Sequence, residues 1–141
     1  MFKDFKNANV KPNEISANSL AFLGDSVYSE YIREKLILSS KEQAGKLHRK
    51  AIKYVSAKSQ AISMHHLIEI DFLSEEEFEA YKRGRNTNCA TVPKNVDVLT
   101  YKVATGFESL VGYLYCLKRI ERLEEIMNES VEAVNKELNI K

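Results

Sequence analysis

Two apolar runs lying far apart in the chain, residues 20–28 and 103–114, each contain a single acidic residue, Asp25 in the first and Glu108 in the second. An ionised carboxylate among side chains that favour burial has to be neutralised, paired or bound to a metal, because an isolated charge is too costly to bury. The alternative is that each acid faces solvent from an amphipathic helix or meets a buried arginine. If both are buried, the two runs are expected to come together at one shared site.

The apolar spacing is helical nearly throughout. Ser16 fits an N-cap for a helix running to about Leu38, with Leu20, Leu23, Val27, Tyr31 and Ile32 on its apolar stripe. Ser40 followed by Gln43, and Ser74 followed by Glu77, both have capping-box spacing. Leu47, Ala51 and Ile52 begin a further stripe, and residues 55–70 carry another, with Ile62, Leu67 and Ile68 as core positions. Gly84 reads as the stop of the helix opened by Ser74. From Arg85 to Val98 periodicity lapses around Pro93, which marks the functional loop, with Asp97 first of all a helix cap. Val103, Phe107, Leu110 and Leu114 then form one stripe, and Ile120, Leu123, Met127 and Val134 form another. No segment sustains strand alternation, so the expected fold class is all-α.

With 141 residues, 44% hydrophobic and 29% charged, the chain suits a single domain, residues 1–141, with a substantial core. No uncharged apolar segment reaches about 18 residues, and charge at the N-terminus argues against a signal peptide, so a soluble cytoplasmic protein without a membrane partner is expected. Cys89 and Cys116 lack metal-site spacing and read as free thiols. The adjacent His65 and His66 point in different directions on a helix and do not suggest a zinc site. Net charge is only +1, so any nucleic-acid role has to rest on segregated charge. Positive charge gathers at residues 46–53, at Lys82, Arg83 and Arg85, and at Lys94, while acids gather at residues 75–79 and from Glu121 onward.

Residues 19–32, Ser-Leu-Ala-Phe-Leu-Gly-Asp-Ser-Val-Tyr-Ser-Glu-Tyr-Ile, resemble the signature helix of the ribonuclease III family, Leu-Glu-Phe-Leu-Gly-Asp-Ala/Ser-Val. Thr105-Gly-Phe-Glu108-Ser-Leu-Val-Gly112 is similar to the family's Asp-x-x-Glu-Ala-Leu-x-Gly. Lys82-Arg-Gly-Arg-Asn86 and Pro93-Lys-Asn-Val-Asp97-Val resemble the Mini-ribonuclease III branch, the catalytic domain without a double-stranded-RNA-binding domain. The resemblance implies an all-α homodimeric endonuclease that hydrolyses double-stranded RNA with Mg²⁺, leaving 5′-phosphate and 3′-hydroxyl ends. It makes Asp25 and Glu108 catalytic metal ligands, with Asp25 also assisting the attacking water. Gly24, Gly106 and Gly112 would let the two signature helices approach closely.

The branch further implies a large-subunit (23S) ribosomal RNA precursor as substrate, selected with the help of a ribosomal protein. A-form RNA is recognised by shape, phosphates and 2′-hydroxyls. Lys82, Arg83, Arg85 and Lys94 are therefore candidate phosphate contacts, with Asn86 and Asn95 as polar ones. Two departures stand out: Ala21 and Thr105 occupy positions where many family members carry acids. Waters and RNA phosphate oxygens would then complete a metal shell, or the chain is a non-catalytic RNA-binding or dimerisation module of the same fold.

Overall fold

The computed structural model describes residues 1–88 and 91–141, and every regular element within them is helical. Seven α-helices follow in order: α1 (Lys3–Asn7), α2 (Ala17–Ser39), α3 (Ala44–Val55), α4 (Ala57–Glu69), α5 (Glu75–Arg85), α6 (Val98–Cys116) and α7 (Ile120–Glu137). A short 3-10 helix, Pro12–Glu14, precedes α2. Cys89 lies outside the described residues, and Cys116 is a buried free thiol. No described helix is long and apolar enough to cross a membrane.

Local chemistry explains most helix starts. Ser16 Oγ accepts the Ser19 N–H at 3.1 Å and Ser56 Oγ accepts the Ser59 N–H at 3.3 Å. At α5 both halves of a capping box form, with Ser74 Oγ accepting the Glu77 N–H and Glu77 Oε1 accepting the Ser74 N–H. Asp97 caps α6, accepting from the Thr100 N–H and hydroxyl at 2.8 Å each.

Three local expectations fail for identifiable reasons. Ser40 does not open α3; it closes α2, and its hydroxyl accepts the Glu42 N–H, while Gln43 takes the cap position with no side-chain bond. Gly84 does not stop α5, which continues through Arg85, because Gly84 is buried against a neighbouring helix instead of ending the chain's turn. Ile68 and Ile120 face outward, 41% and 38% exposed, so the apolar stripes of α4 and α7 are narrower than their sequences suggest.

Helix α6 is the axis of the molecule. Twelve of its 19 residues are buried, including Val103, Phe107, Leu110 and Leu114, which requires neighbours on nearly every side. Those neighbours are α2, α4, α5 and α7. Against α2 the approach is backbone to backbone: a Cβ on Gly24 would sit 1.8 Å from the Glu108 carbonyl oxygen, and one on Gly112 would sit 2.0 Å from the Leu20 carbonyl oxygen. Gly106 serves a different contact from the expected one, since its open side meets Tyr81 of α5. The ring of Tyr28 packs edge-on against Phe107 at 5.0 Å, completing the α2–α6 seam. On the other side, buried Glu77 of α5 accepts two bonds from Arg122 of α7 at 2.9 Å, so its charge is fully paired.

The seam predicts a contrast among glycine substitutions. Gly24→Ala or Gly112→Ala drives a methyl into a backbone carbonyl and should destabilise by at least the upper end of the roughly 1–3 kcal/mol typical of overpacking. Gly45→Ala in α3, where the nearest atom is the Arg49 guanidinium at 3.8 Å, should be neutral or stabilising. Chemical denaturation of the three variants measures the contrast.

Candidate active site

Residues 105–109, little more than one turn of α6, are where three other helices converge. Gly24 of α2 packs on the Glu108 backbone, which brings the next residue, Asp25, alongside the Glu108 side chain. Gln60 of α4, 2% exposed, donates from Nε2 to Glu108 Oε2 at 3.4 Å. Gly84 of α5 leaves no room for a Cβ against Ser109 and Gly106, so the end of α5 that carries Arg83 and Arg85 packs closely on α6.

The two acids do come together, but they differ in burial. Glu108 is half-buried, whereas Asp25 is exposed at the head of an open groove of about 660 Å³ that runs along α2 past Ser29, Glu30 and Arg33 to Leu38. Of the two alternatives, the solvent-facing one holds for Asp25: its neighbours Leu20, Ala21, Gly24, Val27 and Tyr28 turn inward and leave the carboxylate exposed. For Glu108 the burial argument holds. Burial, and then the Asp25 carboxyl against it, push Glu108 up to about 8, opposed by the Gln60 hydrogen bond. Near neutral pH this pair retains a proton, since two facing carboxylates do not both ionise without a cation.

The donors available to a metal are thus carboxylate and amide oxygens, which suit a hard cation. Among the described residues no cluster of three or more His, Cys, Asp or Glu forms. Ala21 and Thr105 are both buried, and the Thr105 hydroxyl donates to the Tyr101 carbonyl oxygen at 2.9 Å. Neither supplies an acidic ligand.

The candidate RNA contacts fall into two groups. Lys82, Arg83, Arg85 and Asn86 share the C-terminal end of α5, while Lys94 and Asn95 are exposed on the segment before α6, with no described contact joining the groups. Lys82 is ion-paired to Glu79 at 2.8 Å. Arg83 lies over the Tyr113 ring and Arg85 over the Tyr81 ring, each 5.5 Å from the centre, which holds both guanidiniums against α5 and α6. Gln60 was not among the sequence candidates. Its signal is an amide in the apolar register of Met64 and Leu67, four and seven residues on, both of which are completely buried.

Two measurements follow from Glu108. Asp25→Asn removes a like charge, so the Glu108 pKa should fall from about 8 yet stay above 4.5, because burial remains; side-chain ¹³C NMR titration reads it. The raised pKa means the folded state holds a proton that the unfolded state has lost between pH 4.5 and about 8. This contribution to stability is complete below the unfolded value and is lost as pH rises through the folded one. Metal-free wild-type protein should therefore lose melting temperature across that window, with a flatter profile for Glu108→Gln.

Comparison with known proteins identifies the family. The Ribonuclease III domain model matches residues 18–119, from the second residue of α2 through α6. A Mini-ribonuclease 3 of Streptococcus pneumoniae is 49% identical over 86% of this chain and 95% of its own length. One from Enterococcus faecalis is 46% identical over 86% and 92%. The crystal structure of a protein from Fusobacterium nucleatum superposes with a TM-score of 0.74 at 31% identity, covering 84% of this chain and 93% of that one. The chain belongs to the ribonuclease III family of endoribonucleases, within its Mini-ribonuclease 3 branch.

Proposed function

We propose that this endoribonuclease cleaves double-stranded RNA with Mg²⁺ held by Asp25 and Glu108, leaving 5′-phosphate and 3′-hydroxyl ends. The observation that carries the reading is the meeting of these two carboxylates across the Gly24–Gly112 seam, with Glu108 pushed up to about 8 by burial and then by Asp25. That strained pair is a good acceptor for a divalent cation. Mg²⁺ commonly uses only one or two carboxylates and fills its remaining positions with waters and substrate phosphate oxygens, so Ala21 and Thr105 are compatible with it. When bound, the ion supplies positive charge for the phosphate oxygens and lowers the pKa of water toward neutrality.

The side chains divide the remaining work. Exposed Asp25 is placed to orient the attacking water in the groove, and Glu108, on giving up its proton, becomes the second anionic ligand. Arg83 and Arg85 hold RNA phosphates beside the pair, with Lys82, Asn86, Lys94 and Asn95 extending the contact. A non-catalytic module would have no reason to hold two carboxylates in repulsive contact.

The reading extends to a homodimer of single-domain subunits. Phe22, 81% exposed, lies one turn before Asp25 and Ser26, and the groove they open ends at exposed Ile37 and Leu38. Apolar side chains at both ends of an otherwise polar face suit coverage by a second copy. Two sites could then address the two RNA strands. The natural substrate is proposed to be the precursor of large-subunit (23S) ribosomal RNA in the cytoplasm, presented with a ribosomal protein.

Purified wild type should cut long double-stranded RNA with Mg²⁺ and not with chelator, while Asp25→Asn binds the RNA, keeps its helicity and does not cut. RNA binding without cleavage by the wild type would sink the nuclease assignment of these residues. Reversing Arg83 and Arg85 to glutamate together should weaken binding and reduce its salt dependence, as loss of phosphate contacts demands. Unchanged affinity would remove α5 from the RNA surface.

A further inference from the structure

We propose that Gln60 is a positioning residue for the reaction: its buried amide orients the Glu108 carboxylate as a metal ligand. The proposal deepens the metal reading above and rests on it.

The amide occupies a place where an apolar residue would be cheaper. Gln60 is 2% exposed, in register with Met64 and Leu67, at 0% each. Burying an amide is unfavourable unless it is hydrogen-bonded. Its Nε2 reaches Glu108 Oε2 at 3.4 Å. Glu108 is thus held from the α4 side by an amide and faced from the α2 side by Asp25. A glutamate has several rotatable bonds, and these two contacts together define which way its carboxylate points.

The first turns of α4 are themselves fastened from several directions. Ser59 Oγ donates to the Lys53 carbonyl oxygen at the end of α3. Ser63 Oγ donates to the Ser59 carbonyl oxygen at 3.1 Å and to the Ser130 carbonyl oxygen of α7 at 3.2 Å. Gln60 is therefore delivered by a rigid segment. Its chemistry also fits: a lysine here would neutralise Glu108 and compete with a cation, and a carboxylate would repel it. A neutral amide steers the ligand and leaves its charge available, and with a donor and an acceptor it can partner either protonation state.

The test is Mn²⁺ binding to the RNA-free protein, read by electron paramagnetic resonance, for wild type, Asp25→Asn, Gln60→Met and Gln60→Asn. Gln60→Met keeps the volume and removes the hydrogen bond. Gln60→Asn keeps a polar group in the core but withdraws it by one methylene, so the experiment does not depend on the Met variant folding. Loss of an orienting partner typically lowers metal affinity about 10–100-fold, and a drop of at least ten-fold is expected for each Gln60 variant. The Mg²⁺ concentration for half-maximal RNA cleavage should rise by a similar factor, with a smaller change in rate at saturating metal. A purely structural role would lower the melting temperature and leave Mn²⁺ affinity at the wild-type value. That result, with affinity lost in Asp25→Asn, overturns the role of Gln60 and leaves the metal reading standing. Wild-type affinity in all the variants overturns both.

Discussion

The main-chain contact between α2 and α6, made where Gly24 and Gly112 leave no space for even a methyl, is the constraint on which the site depends. Side-chain packing alone would hold the two helices farther apart. Contact at the level of the backbone places Asp25 against Glu108 without either acid having to pull the helices together, which two like charges could not do. The same seam buries Phe107 and Tyr28 edge to face, so the apolar contact that stabilises the fold also carries the electrostatic conflict that the chemistry needs.

That conflict couples protons to metal. The folded protein tolerates a half-buried Glu108 by leaving it protonated, and in the proposed reaction that proton would have to leave when a cation takes its place. The exposed acid meets solvent, and in the proposed reaction substrate, while the half-buried one is held by surrounding protein. Two acids of almost the same intrinsic strength thereby take different roles because their surroundings differ.

Much of the architecture was legible in the sequence because it rests on local rules. The caps at Ser16, Ser74–Glu77 and Asp97 depend on side chains three residues from their partners, and the α6 stripe repeats at helical spacing. What was misread depends on distant neighbours. A glycine near a helix end looks the same whether it terminates the helix or presses it against another, and only the position of Ser109 and Gly106 reveals the role of Gly84. Ser40 has a capping residue's composition but is already engaged in ending α2. Apolar neighbours alone left open whether Asp25 is buried, and a 100° turn per residue puts it on the other side of them. Gln60 lies 48 residues from Glu108, beyond any local pattern.

In the proposed reaction, the convergence on residues 105–109 also separates chemistry from selectivity. Asp25, Gln60 and Arg83 are set by contacts between helices, whereas Arg85 lies over Tyr81 of its own helix and donates to Asn86 Oδ1 at 3.1 Å just past the end of α5. Substitutions at exposed Lys94 and Asn95, nearer α6, would leave the spacing between the carboxylates and Arg83 unaltered. The fold therefore acts as a chassis with an exchangeable attachment, in which substrate preference can drift while the cutting machinery keeps its dimensions.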